Sequence, residues 1–216
     1  MPATRSSAPI EASRNGSDLR RGAVDAVILA GGKGERLGRG EKGLALLAGR
    51  PMLTRVCDRI APQVRHGAVC ANRCLADYRQ AVGWPLIQDA PVHLGAGPLA
   101  GVAAALGYFK QAEWVLVVPC DTPLLPSDLV TRLLDAGSAE HDILYAADHQ
   151  REHFAVALIR PRVRGALNEA LAGGTRRLQD FYAQQRAASV LFEDAAAFIN
   201  INTAAELDAL SEHLSV

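Results

Sequence analysis

The chain has 216 residues, enough to bury one core without disulfide or metal staples. With 49% hydrophobic and 21% charged residues it is too apolar for disorder and too interrupted for a membrane span, so a soluble globular protein is expected. Lys plus Arg number 23 and Asp plus Glu number 23, which leaves no global field to draw the chain onto nucleic acid or an anionic membrane; an anionic ligand must be held locally.

Residues 1–22 carry Ser, Pro, Gly and Arg with no apolar h-region, and Glu11 and Asp18 argue against a transit peptide, so a disordered tail is expected ahead of one domain at 23–216. From Asp25 onward short apolar runs alternate with helix-length amphipathic stretches, the pattern of an α/β sheet with helices on both faces. Ala26 to Ala30, Gly67 to Ala71, Leu86 to Gln88 and Trp114 to Val118 are nearly continuous in apolar residues, as parallel strands buried on both faces should be. Between them Pro51, Pro98 and Pro126 open predicted helices, the first continuing through Met52, Leu53, Val56 and Ile60, the others through Phe109 and Ala136. Ile143 to Ala147 and Phe154 to Ile159, joined by a polar stretch, predict a hairpin or an extension of the sheet. Helices are predicted over Pro161 to Leu171 and Leu178 to Gln185, then a strand and a last helix. Thr203 with Glu206 three residues on is a capping-box pattern that places Asn200 and Asn202 just before that helix. Cys57, Cys70, Cys74 and Cys120 lie within or beside apolar segments without metal-ligand spacing, which predicts buried thiols in a reducing cytoplasm.

In an open parallel sheet ligands collect beyond the carboxyl ends of the strands, so the residues just past each apolar run are the candidates for chemistry. After the first run comes Leu29-Ala30-Gly31-Gly32-Lys33-Gly34-Glu35-Arg36-Leu37-Gly38, with Lys42 downstream. Its glycines let backbone N–H groups converge on an anion, and Lys33, Arg36 and Lys42 add charge, which suggests a phosphate cradle. The spacing fits neither GxGxxG, which needs glycine where Leu37 stands, nor GxxxxGK. Asn72 lies just past the second run and Asp89 just past the third; each is a turn former or a ligand contact. The glycines of Gly95 to Gly101 serve either close ligand approach or tight helix packing. After the fourth run, Pro119-Cys120-Asp121-Thr122-Pro123 holds a carboxylate between two prolines. An Asp facing a phosphate needs a bridging cation, so Asp121 suggests Mg²⁺, with Asn202 or Asn200 as a neutral oxygen donor. No nucleophilic triad or elbow is visible, and His153 on a β-run is a core histidine or a site residue. What remains is phosphoryl or nucleotidyl transfer, where positioning and charge neutralisation carry catalysis.

These motifs together, Leu-Ala-Gly-Gly-x3-Arg-x-Gly with Lys42, Ala-Asn-Arg at 71–73, Asp89, Gly-Pro-Leu-Ala-Gly at 97–101, Pro-Cys-Asp-Thr-Pro at 119–123 and Asn-Ile-Asn-Thr at 200–203, resemble the molybdenum cofactor guanylyltransferases. The resemblance runs from about Ala23 to the C-terminus. It implies a three-layer Rossmann-like nucleotidyltransferase fold and transfer of GMP from GTP to molybdenum-molybdopterin, with Mg²⁺ and release of pyrophosphate. It implies GTP contacts at Leu29, Ala30, Gly31, Gly32, Lys42, Asn72, Asp89, Gly97, Pro98, Leu99 and Asp121. Catalytic roles fall to Arg36, Lys42 and Asp121, metal contacts to Asp121 and Asn202, and the pterin side to Asn200 and His153. A cytoplasmic monomer is implied, working with molybdopterin-handling and molybdoenzyme-maturation proteins. Leu37 stands where the family often has Met, Glu41 where Asp is usual, and His153-Phe154 replaces a frequent His-Pro. The rival readings are a cytidylyl- or sugar-nucleotidyltransferase on the same fold, and a catalytically silent nucleotide-binding regulator.

Overall fold

The computed structural model describes residues 24–31 and 40–214. The expected tail at 1–22 and part of the glycine-rich loop, including Gly32 and Arg36, lie outside the described residues. Seven strands form one sheet: β1 (Val24–Leu29), β4 (Gly67–Cys70), β5 (Leu86–Ile87), β6 (Trp114–Pro119), β7 (Ile143–Ala147), β8 (Glu152–Ile159) and β9 (Ala187–Leu191), in the order β5-β4-β1-β6-β8-β7-β9. All are parallel to their neighbours except β8, which runs antiparallel to both β6 and β7. The expected hairpin and the expected sheet extension are therefore one feature: β7 and β8 pair with each other, and β8 joins them to β6.

Alternate residues of each strand divide between two faces, and both are buried. Val24, Ala26 and Ile28 share one core with Leu116 and Val118, whereas Val27 shares the other with Val115 and Val117. This two-sided burial is why the strands read as unbroken apolar runs. The first core is covered by α1 (Met52–Ile60), α2 (Leu75–Ala81) and α4 (Leu129–Ala136), the second by α3 (Pro98–Tyr108), α5 (Arg164–Ala172) and α6 (Leu178–Tyr182). Leu53, Val56, Cys57 and Ile60 form the inner stripe of α1, and truncating Leu53 to Ala is expected to cost about 2–5 kcal/mol.

A smaller third core ties the segment ahead of α1 to the last helix. The two-residue strands β2 (Leu46–Leu47) and β3 (Arg50–Pro51) form a tight hairpin, and Ala45, Leu47 and Met52 pack on Ile201 and on Leu207 of α7 (Ala204–Leu214). That packing brings the chain just before β2 against the chain just before α7.

Four expectations are corrected. The helix predicted from Pro126 begins at Leu129, with Asp128 in a non-helical conformation before it. Pro161–Val163 is a 3₁₀ turn leading into α5, and α6 ends at Tyr182 rather than near Gln185. Cys57, Cys70 and Cys120 are buried, but Cys74 is exposed in a left-handed conformation, φ +48°, where it opens α2.

Candidate active site

Where β1, β4 and β6 end, the residues beyond them surround a cleft of about 480 Å³. Leu29, Gly31 and Lys42 line it from the first connection, Asn72 and Asp89 from the ends of β4 and β5, and Asp121 from beyond β6. The parallel register makes this convergence automatic, because Leu29 lies across from Cys70 on one side and Pro119 on the other.

One end of the cleft is ionic. The Lys42 ammonium donates to a carboxylate oxygen of Asp121 and, at 2.5 Å, to Asn202 Oδ1. Asp121 is 7% exposed, and its other oxygen, Oδ1, is buried without a hydrogen-bond partner among the described residues. An unsatisfied buried carboxylate oxygen costs free energy unless something else completes it, so this position is shaped to accept a cation or a donor. The 200–202 segment is pinned here by its backbone: Ile201 N–H donates to the Asp121 carbonyl at 2.9 Å, and Asn202 Nδ2 donates to the Asn200 carbonyl at 3.2 Å. The capping box holds the same segment from the other side. Glu206 Oε2 accepts from Asn202 N–H at 2.7 Å and Thr203 N–H at 3.0 Å, while Glu206 N–H donates to Thr203 Oγ1 at 3.2 Å.

Lys42 is steered by its neighbour. Glu41 is buried, paired with Arg73 at 2.9 Å, and accepts from the Tyr78 hydroxyl at 3.3 Å; the same hydroxyl lies 3.1 Å from the Ala30 carbonyl. Burial, and then the nearby Cys120 and Glu41, push the Tyr78 phenol up, so it remains a neutral donor. Thus β1, the segment before β2 and α2 are latched together, with Lys42 projecting into the cleft beside the latch.

The other end is neutral except for one carboxylate. Asn72 Nδ2 donates to Asp89 Oδ2 at 2.8 Å and Asp89 N–H donates back to Asn72 Oδ1 at 2.9 Å, a closed two-bond ring across the ends of β4 and β5. The α3 N-terminus opens beside it, with Pro98 in the first turn and Gly97 at φ +76°, a conformation that favours glycine. Of the two expected uses of this glycine loop, tight helix packing is seen at Gly101. Gly95, Gly97 and Gly101 line the cleft, and a Cβ on Gly101 would fall 2.7 Å from Leu29 Cδ2.

Of the remaining expected site residues, Ala30 and Leu99 are buried in the two cores, and Asn200 stands beside Asp121 through the backbone of its own segment. His153 is placed elsewhere. A register shift between Tyr145 and Ala146 marks a bulge in the β7–β8 ladder. Past it Ala155 lines the cleft, whereas His153 stacks on Phe198 at 4.7 Å in the opposite core and bonds Asp148 at 2.8 Å. That imidazole, together with backbone donors, holds the Asp148 carboxyl down to about 2. Sequence reasoning missed Glu41, Tyr78 and Cys70 as parts of the site. For Tyr78 the only signal was a polar-tipped aromatic between Asp77 and Arg79, which is equally common in plain cores.

Comparison with known proteins bears on the family and the fold. Residues 26–189 match the family model of the MobA-like NTP transferase domain. A molybdenum cofactor guanylyltransferase of Shewanella loihica is 41% identical over 194 residues, covering 89% of this chain and 97% of that protein. Among solved structures, the molybdopterin-guanine dinucleotide biosynthesis protein A from Archaeoglobus fulgidus superposes with a TM-score of 0.74 at 22% identity, covering 88% of this chain and 98% of that one. A 4-diphosphocytidyl-2C-methyl-D-erythritolsynthase from Anaerococcus prevotii superposes with a TM-score of 0.70 at 12% identity, covering 94% of this chain and 100% of that one. The fold is thus shared by proteins named for guanylyl and for cytidylyl chemistry.

Proposed function

This chain belongs to the MobA-like NTP transferase domain family, and we propose that it transfers GMP from GTP to molybdenum-molybdopterin, releasing pyrophosphate. The observation that carries the reading is the division of the cleft into an ionic end at Lys42, Asp121 and Asn202 and a carboxylate-tipped base end at Asn72 and Asp89. Guanine is the common base whose edge presents an imino and an amino donor side by side, the complement of a carboxylate. Identity to the curated guanylyltransferases over most of the chain favours the guanylyl over the cytidylyl branch, which the fold by itself does not separate.

A terminal phosphate oxygen of the pterin substrate attacks the α-phosphorus of GTP in line, the new P–O bond forming as the bond to pyrophosphate breaks. Lys42 neutralises charge on the triphosphate and on the leaving group. Leu29, Gly97 and Pro98 shape the walls that hold base and ribose, and Asn72 keeps Asp89 in place; catalysis by positioning requires no covalent nucleophile. Arg36 and Gly32 belong to this proposal from sequence alone, as does the pterin side at Asn200. His153, tied to Asp148 and Phe198, acts there only through the fold.

The donor set suits Mg²⁺. Among the described residues Asp121 Oδ1 is orphaned, Asn202 offers a neutral oxygen close by, and no group of three or more His, Cys, Asp or Glu forms a metal cage. One carboxylate with room for phosphate oxygens and water is how Mg²⁺ is usually held. Bound there by Asp121 and Asn202, it would supply Lewis-acid charge neutralisation of the triphosphate. The catalytic unit is residues 23–216, acting in the cytoplasm; no helix among the described residues is long and apolar enough to cross a membrane.

The test combines full-length protein, GTP, Mg²⁺ and molybdenum-molybdopterin, and reads pyrophosphate against dinucleotide product, expected one to one. Product with CTP but not GTP would move the assignment to the cytidylyl branch. Tight nucleotide binding with no pyrophosphate under any triphosphate would make the protein a regulator.

A further inference from the structure

The last residue of β4, Cys70, has no place in the chemistry above, yet its thiol lines the cleft and lies 3.4 Å from Asp89 Oδ1, the carboxylate oxygen that Asn72 does not hold. We propose that Cys70 is a specificity-determining positioning residue: its S–H donates to Asp89 and fixes the plane in which that carboxylate meets the base. The proposal rests on the guanylyl reading and names what sets its selectivity.

The register explains the meeting. Cys70 pairs with Ile87 across β4 and β5, so Asn72 and Asp89, each two residues farther on, face each other at the sheet edge. Asn72 grips one carboxylate oxygen and the Asp89 backbone; that grip restrains the turn of the carboxylate about the bond to its own Cβ from one side only. The Cys70 donor closes the remaining freedom. A carboxylate oxygen has two acceptor sites, so with one taken on each oxygen, one remains on each for a ligand. Two parallel acceptors match guanine's two adjacent donors, and such a bidentate match depends on the carboxylate plane in a way that a single hydrogen bond does not.

The thiol is suited to this task. Burial, and then the charge of Asp89, push its ionisation up, so it stays a protonated donor and does not become a second anion beside Asp89. No side chain competes for it from α3, because the facing residue is Gly101, where an added Cβ would sit 3.4 Å from the sulfur and 3.8 Å from Asp89 Oδ1.

The test is calorimetric titration of the full chain, with Mg²⁺ and without pterin, against GTP and ITP, which lacks the 2-amino donor. The unmutated protein should prefer GTP by about tenfold or more, since a buried acceptor left unpaired rejects the poorer ligand. Cys70→Ala should shrink that preference about threefold to fivefold, through weaker GTP binding more than through ITP. Cys70→Ser keeps a donor and should hold the preference even where burying a hydroxyl lowers the melting temperature. A preference that is unchanged in Cys70→Ala, or that falls in both variants in step with melting temperature, would make Cys70 a core filler and overturn the proposal. Failure of the underlying reading shows separately, in the unmutated protein: if CTP or ATP binds as well as GTP, the base assignment falls before any variant is made, and this proposal falls with it.

Discussion

Asp25 and Asp121 are both buried carboxylates on neighbouring parallel strands, one at the start of β1 and one just past the end of β6. Asp25 is closed: Arg65 meets it with Nε at 3.0 Å and Nη2 at 2.8 Å, a bidentate pair that takes both oxygens. Asp121 is open, with one oxygen on Lys42 and the other on no partner among the described residues. The same fold thus solves one buried charge completely and leaves another half solved. A carboxylate that serves only the fold has no reason to stay incomplete, because the incompleteness costs stability. The one left open lies where ligands collect in such sheets.

If that contrast is right, Asp121→Asn should lose turnover by about two orders of magnitude or more, the scale of one preorganised electrostatic contact, while the melting temperature shifts by only a few degrees. Turnover as a function of Mg²⁺ concentration checks it; near-normal activity with unchanged metal dependence would place Asp121 beside Asp25 as a structural group. Lys42→Met sharpens the same point from the other partner. Removing the ammonium strands a buried carboxylate, with an expected cost of about 3 kcal/mol. Because Lys42 occupies the space between Asp121 and Asn202, its removal should also let Mg²⁺ alone, without nucleotide, raise the variant's melting temperature more than it raises the parent's. Equal responses would show that Lys42 and the metal do not share that space.

Asp25→Asn is the converse. It should cost about 1–3 kcal/mol by unpairing Arg65, and leave kcat and KM unchanged at temperatures where the variant is folded. A kinetic defect there would break the distinction between the two carboxylates.

The strands and most helices were legible in the sequence because each depends on local pattern: two-sided burial writes an apolar run, and a first-turn proline or a capping box marks a helix start. The rim residues were legible because a parallel sheet delivers strand ends to one edge. The partnerships were not. Lys42 meets groups 79 and 160 residues away, and Cys70 meets Asp89 only through the β4–β5 register. Helix α2 is seven residues long, too short for helical periodicity to stand out, and begins from a left-handed Cys74. The displacement of His153 comes from a bulge, which shifts the period-two alternation on which a strand reading rests.

That displaced histidine gives a smaller prediction. Because the folded-state pKa of Asp148 is depressed to about 2, the pair's contribution is fully present above the ordinary carboxylate range and is lost as pH falls from about 4 toward 2. His153→Phe can retain the ring contact with Phe198 but not the hydrogen bond. The stability gap between parent and variant, read from urea midpoints, should therefore narrow across that window, while the parent's activity near neutrality is matched by the variant. Lost activity with intact stability would return His153 to the site.

The smallest expected effect concerns the tether of Asn202. Thr203 Oγ1 accepts from the Glu206 N–H, so Thr203→Ala removes one cap bond at an exposed helix end, worth about 1 kcal/mol. Glu206 does a second job. Its carboxylate is held below the ordinary range by the N–H groups of Asn202 and Thr203, so its grip is present above that range and weakens as pH falls through it. Glu206→Ala should cost little more stability than Thr203→Ala, yet it frees the backbone that carries Asn202 beside Lys42. The measurement that separates the two roles is the Mg²⁺ concentration needed for half-maximal turnover. It is expected to rise severalfold in Glu206→Ala and to stay near the parent value in Thr203→Ala. If both variants shifted it equally, the effect would come from fraying of α7 as a whole, and Asn202 would owe its position to Ile201 and the third core.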